Sequence, residues 1–301
     1  MKLSETHRKV VAGAALWLIA LLIPGIGVIE MLFLWAPLVI VPLGLDLVPR
    51  PEGLFGRIDR AVRMIQPFAA AFVVVSFLFP PGWNGLLFAI PWVAVCGALA
   101  LLGAARFARR GRWDPVELCT DAALGLIAVG GFGLAASRLG LALGFKEPII
   151  LLTAVHFHYT GFVAPLLIGF AGRKLGPKAP VLFAAAAVLL GSPLTAIGFM
   201  FSPTLKFIAV LWIATGMIVF AWLLMRVAAV VTDNRPRFLF MLASLSLLIG
   251  MGLVAVYSIG EYGQRLLIEI PAMAWFHGIV NAGGFATCGL LGARAAGGRI
   301  A

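Results

Sequence analysis

Residues 147–171 read EPIILLTAVHFHYTGFVAPLLIGFA. The run is long and apolar enough to cross a bilayer, whose hydrocarbon core of about 30 Å takes about 20 helical residues. Yet its centre holds His156, His158, Tyr159 and Thr160, so two of the chain's 4 histidines stand where hydrocarbon should be. A polar group in lipid is costly unless a partner satisfies it, which makes such a cluster a functional-site hypothesis by default.

Working outward, the whole chain has the same character. Its 301 residues are 62% hydrophobic and only 12% charged, with a mean hydropathy of +1.07. A soluble domain is about half apolar and a quarter charged. The composition therefore predicts an all-α, polytopic integral membrane protein of the cell membrane. Net charge is +11, but the basic residues sit in short loops between apolar runs. That is the signature of membrane topology and not of a nucleic-acid surface. Cys96, Cys119 and Cys288 stand singly, without the paired spacing of a disulfide or thiolate metal site. The N-terminal basic and apolar residues lack a small-residue cleavage site, so they read as a first transmembrane helix.

Ten apolar runs fit spans, at about 9–24, 26–45, 62–79, 84–105, 116–137, 147–171, 179–201, 204–225, 237–258 and 268–293. Pro24-Gly25 and Pro80-Pro81-Gly82 separate neighbouring spans, and Pro37 and Pro42 predict kinks in the second. With both termini cytoplasmic, Lys and Arg alternate cleanly. Lys2, Arg8 and Lys9, Arg50 to Arg63, Arg106 to Arg112, Arg173 to Lys178, Arg226 to Arg237, and Arg294 and Arg299 fall inside. Only Arg138, Lys146, Lys206 and Arg265 fall outside. The expectation is one ten-helix transmembrane domain, residues 1–301, without a separate soluble domain.

Topology then sorts the polar residues by depth. His156 lies nine residues after Glu147, and His277 nine after Ile268; at about 1.5 Å per residue both reach the midplane. Glu30 enters the second helix near its outer end. Helical phase puts His156, Tyr159 and Thr160 on one face, with His158 about 200° from His156, outside the same pocket and placed to hydrogen-bond across a helix pair. His277 and Asn281 are four apart and share a face. Glu117 and Asp121, at the inner end of the fifth helix, read as charges stabilising a helix N-terminus.

The segments VHFHYTGF (Val155–Phe162), FHGIVNAGGF (Phe276–Phe285) and IEMLFLWAPLVIVPLGL (Ile29–Leu45) resemble the YndJ-like family of bacterial membrane proteins. The resemblance implies a multi-pass membrane protein and assigns no reaction.

The residues themselves suggest an intramembrane enzyme acting on an isoprenoid or other lipid-like substrate without a cofactor. General acid–base isomerisation or cyclisation needs only an acid, a base and an aromatic shell. Glu30 or His156 would be the acid and His277 the base, with Tyr159, Thr160, Asn281 and Trp275 holding the substrate. The alternatives are a metal or haem protein using His156, His158 and His277, a small-molecule or proton-coupled transporter, and a non-catalytic role. Partners are membrane lipid or a hydrophobic small molecule, not nucleic acid; the sequence does not fix the oligomeric state.

Overall fold

The computed structural model describes residues 4–142 and 144–297; Lys2 and Arg299 of the charge tally lie outside the described residues. Among the described residues every element is helical. Helix covers each expected run: α1 Glu5–Ala20, α2 Val28–Leu45, α3 Gly53–Ser76, α4 Trp83–Arg110, α5 Pro115–Leu139, α6 Ile149–Leu175, α7 Ala179–Phe201, α8 Pro203–Val230, α9 Asn234–Tyr262 and α10 over 270–295. Seven of them, α2 and α4 to α9, are long and apolar enough to cross a membrane. The architecture is that of an all-helical, multi-pass membrane protein.

The helix ends follow local chemistry. Ser4 accepts from the His7 amide at the start of α1, Ser202 from Leu205 at the start of α8, and Asp233 from Arg235 at the start of α9. Each supplies an oxygen to an amide that the helix leaves unpaired. Gly111, with φ of 67°, ends α4 after Arg109 and Arg110, a left-handed cap behind cations that complement the helix dipole. Asp114 accepts from the Val116 and Glu117 amides to open α5. Glu117 stands in its first turn, as the sequence suggested, and pairs with Arg173 at 3.0 Å.

The chain divides into two compact units. One holds the residues up to Trp113 together with Thr120–Val163; the other holds Asp114–Cys119 and the chain from Ala164.

In the first unit α2 is the most thoroughly buried of the seven candidate spans. Its two prolines explain its form. Proline lacks an N–H, and its ring collides with the carbonyl four residues back. Residues Ala36–Ile40 therefore widen into a π-helical turn, in which the Val41 amide bonds the Ala36 carbonyl five residues back. The next carbonyl in that register, Pro37, faces the nitrogen of Pro42, which has no hydrogen. Gln66 on α3 fills the gap, donating from Nε2 to the Pro37 oxygen at 2.6 Å. Broken backbone at membrane depth persists only where neighbours re-satisfy it, and three helices do so here. Trp17 of α1 donates to the Met31 carbonyl at 2.8 Å, and Tyr159 of α6 donates to Leu32 at 2.9 Å. Arg63 of α3 donates to Leu45 at 2.6 Å while its Nε bridges both oxygens of buried Asp59. Gly13 lets α1 close on the Leu38 carbonyl, where a Cβ would overlap it.

The last carbonyls of α3 are capped by Arg138. Its guanidinium donates to Ser76 Oγ at 3.2 Å and to the carbonyls of Ser76 and Phe79, and lies 5.0 Å from the Phe77 ring centroid. At 6% exposure it is not the solvated loop charge that the topology tally implied. The chain breaks at Pro80-Pro81-Gly82, leaving orphan carbonyls that demand a donor, and the arginine supplies it.

In the second unit α7 to α10 pack as neighbouring helices with small residues at the contacts. Ser244 of α9 donates to the Ala221 carbonyl of α8 at 2.8 Å. Lys206 pairs with Glu261 at 2.8 Å, and Phe207 stacks on Tyr262 with centroids 4.4 Å apart. Among the described residues, α10 is π-helical over Ala274–Gly278 and Val280–Thr287.

Candidate functional site

Glu30, His156, His158, Tyr159 and Thr160 belong to the first unit, and Trp275, His277 and Asn281 to the second.

In the first unit the expected opposition of His156 and His158 holds; His158 turns inward and hydrogen-bonds across a helix pair as expected, while His156, expected to line a pocket, faces outward. His158 is fully buried, whereas His156 is exposed on the surface of α6 with its Nδ1 2.7 Å from the Leu152 carbonyl. Phase fixes which residues oppose each other; packing decides which side turns in. α6 is apolar all round, so nothing in its own sequence chose the face. Gly130 on α5 makes room for the His158 ring, since a Cβ there would lie 2.5 Å from Nδ1.

His158 is held by a complete set of partners. Its Nδ1 stands 2.8 Å from the Ala154 carbonyl, and its Nε2 accepts from the Trp92 indole N–H at 3.1 Å. A carbonyl can only accept, so Nδ1 carries the hydrogen and Nε2 the lone pair, a neutral tautomer fixed from both sides. Phe33 meets the ring edge-on at 4.9 Å, and Cys96 Sγ lies 3.9 Å from Nε2. With both nitrogens engaged, His158 acts here as a buried crosslink between α4 and α6. Among the described residues no three His, Cys, Asp or Glu side chains are grouped to hold a metal ion.

Tyr159, expected to position a substrate alongside His156, is buried with its hydroxyl committed to Leu32. It opens the π-helical turn Tyr159–Val163, which shifts the register of the residues after it. Thr160 is half-buried. Glu30 is the third residue of α2, and its Oε2 lies close over Gly27, the N-cap. A carboxylate there complements the helix dipole, a local role.

The second unit holds the other candidates together. His277 Nδ1 is 3.1 Å from the Gly250 carbonyl of α9, and the Asn281 amide donates to the His277 carbonyl at 2.8 Å. Both side chains are half-buried, while Trp275 and Phe276 beside them are 56% and 64% exposed. The π-helical backbone around them is itself supported, because Thr287 Oγ1 donates to the Ala282 carbonyl five residues back at 2.7 Å. π-helical turns recur at functional sites. Nδ1 of His277 also lies 3.3 Å from the Asn281 amide nitrogen; in the tautomer that donates from Nδ1 to the Gly250 carbonyl, the lone pair is on Nε2.

Sequence reasoning missed Trp92, Gln66 and Arg138. For Gln66 and Arg138 the signal was present: carbonyls left unpaired by Pro42 and by Pro80-Pro81 require donors from elsewhere in the chain.

Comparison with known proteins gives one consistent result. A family model described as YndJ-like protein matches residues 31–285. A Bacillus subtilis (strain 168) protein described as "Uncharacterized membrane protein YndJ" is 32% identical over 281 residues, covering 90% of this chain and 49% of the relative. The chain thus spans about half the length of that relative. No solved structure matches. Two of the three segments that carried the resemblance, around His156 and around His277, lie wholly inside the matched region, and the third overlaps its start. With most of its length under the family model, the chain belongs to the YndJ-like family.

Proposed function

We propose that the protein is an intramembrane enzyme that moves a proton within a hydrophobic, lipid-like substrate, with His277 as the acid–base residue. The observation that carries this reading is the His277–Asn281 pair on a π-helical stretch of α10, half-buried beside exposed Trp275 and Phe276. The Gly250 carbonyl holds the imidazole through Nδ1, which orients Nε2 as the atom that exchanges a proton. Asn281 fixes the next turn through the His277 carbonyl. Exposed aromatic faces suit an unsaturated chain arriving from the bilayer and any cationic charge that develops on it.

In the simplest such reaction Nε2 takes a proton from one carbon of an unsaturated substrate and returns it to another. The double bond shifts, the composition is unchanged, and no cofactor is consumed. This reading leaves Glu30, His156, Tyr159 and Thr160 outside the chemistry, Glu30 and Tyr159 because each has a structural task within the first unit. The ten-span topology with both termini on the basic side belongs to the same reading.

The test compares whole-lipid extracts, by mass spectrometry with double-bond localisation, from cells producing the protein, its His277→Ala variant or neither. The reading expects one unsaturated lipid class to change its isomer distribution with the parent protein alone. Identical distributions in parent and variant would overturn it.

A further inference from the structure

The first unit contains a polar cleft that the proposed reaction does not use. It lies where the start of α1, the end of α2 and the middle of α3 meet, has a volume of about 30 Å³, and is lined by Glu5, Thr6, Lys9, Pro42, Leu45, Arg50, Arg63 and Gln66. A space of that size holds one or two oxygen-sized groups, not a whole lipid headgroup.

Its cations differ in what already occupies them. Arg63 is committed to Asp59 and to the carbonyls of Leu45 and Val48. Lys9 donates to the Arg63 carbonyl at 2.8 Å and pairs with Glu5 at 2.6 Å. Arg50 makes no hydrogen bond or ion pair among the described residues, and the residue is exposed. Thr6 donates to Asp46 at 3.2 Å, and Asp46 itself does not line the cleft.

Arg50 is also held in place. It sits between Pro49 and Pro51, and a proline restricts both its own φ and the residue before it. Gly56 in the first turn of α3 packs against the Pro51 carbonyl so closely that a Cβ would overlap it. A guanidinium with its planar fork unspent, on a backbone already ordered, is suited to two oxygens of one anion. The carboxylate already in the cleft shows what it attracts. Glu5 reaches Lys9 with its side chain 65% exposed, so it can leave when a stronger anion arrives.

We propose that this cleft is a phosphate-binding site, in which Arg50 and Lys9 grip the oxygens of a phosphate group and displace the carboxylate of Glu5. The phosphate is carried by a membrane lipid or is free in solution.

The experiment uses the full chain in detergent micelles and reads binding by native mass spectrometry. The probes are a short-chain phosphatidylglycerol, a diacylglycerol of the same chain length and inorganic phosphate. The expected result is that phosphatidylglycerol binds and diacylglycerol does not. Arg50→Gln should weaken binding about tenfold, the value of a charge-assisted contact, and Arg50→Lys should recover part of it. Glu5→Gln should tighten binding severalfold by removing the competitor, and Arg57→Gln, an exposed charge outside the cleft, should leave it unchanged. Unliganded melting temperatures matching the parent show that the variants fold. Inorganic phosphate binding with the same Arg50 dependence would support the site and identify free phosphate as its ligand. Equal losses from Arg50→Gln and Arg57→Gln would overturn the proposal, as would a Glu5→Gln variant that does not tighten.

Discussion

Replacing Gln66 by leucine removes the donor that serves the Pro37 carbonyl while keeping a side chain of similar size. Gln66 is 2% exposed and its hydrogen bond is 2.6 Å long, so water cannot take its place. A buried acceptor left unpaired costs about 1–3 kcal/mol. Hydrogen bonds between membrane helices are worth less on average, about 0.6 kcal/mol, because the unfolded chain in lipid also finds partners. Here the usual replacement is absent, since Pro42 has no N–H, so the expected loss is about 1.5 kcal/mol. Pro42→Ala supplies that N–H. In the Pro42→Ala background, Gln66→Leu should cost less than about 0.5 kcal/mol, giving a coupling of about 1 kcal/mol between residues that lie on different helices. The assay is equilibrium unfolding of the four proteins in mixed micelles of mild detergent and dodecyl sulfate. A Gln66→Leu cost that is the same in both backgrounds would refute the reasoning, because Gln66 would then be serving something other than the proline-freed carbonyl.

Three further outcomes are expected. Gly130→Ala forces a methyl group against His158 Nδ1 and should lower stability by about 1–3 kcal/mol, the usual cost of overpacking; an unchanged melting temperature would mean that the His158 ring is not confined. Asp121 is buried between half-buried Arg106 at 3.0 Å and Arg110 at 2.7 Å, so Asp121→Asn should cost about 3 kcal/mol by leaving two partly covered cations without their counter-charge; a loss below about 1 kcal/mol in the same micelle assay would contradict this. Cysteines introduced singly at exposed Arg57 and Arg265, in a background lacking the native cysteines, should react with a membrane-impermeant maleimide from opposite faces of sealed vesicles; labelling from the same face would break the ten-span topology.

The helices were legible because apolar runs, proline breaks and alternating basic loops are local signals, and helix follows every one of them. The disturbance that Pro37 and Pro42 cause was legible for the same reason, although its form, a π-helical turn over Ala36–Ile40, was not. What stayed hidden was orientation. In water, an amphipathic stripe says which face of a helix turns inward; in lipid, the outside of α6 is as apolar as the inside. His156 and His158 could therefore be set in opposition but not assigned, and it took Gly130 and Trp92, on two other helices, to draw His158 in. Arg138 was misread for a related reason. Its partners, Ser76 and Phe79, lie about sixty residues upstream, and only the orphan carbonyls before Pro80 hinted at them. The His277–Asn281 pair was legible from its four-residue spacing, whereas its anchor, the Gly250 carbonyl, comes from a different helix.

The central claim is that His277 exchanges a proton with a lipid-soluble substrate, and solvent deuterium tests it most directly. The full chain would be placed in nanodiscs of total lipid from its native membrane, incubated in D₂O, and the lipids analysed by mass spectrometry. The account predicts deuterium on carbon in one unsaturated lipid class with the parent protein and with His156→Ala, and none with His277→Ala. Deuterium that appears equally with His277→Ala, or in no lipid at all, would contradict it.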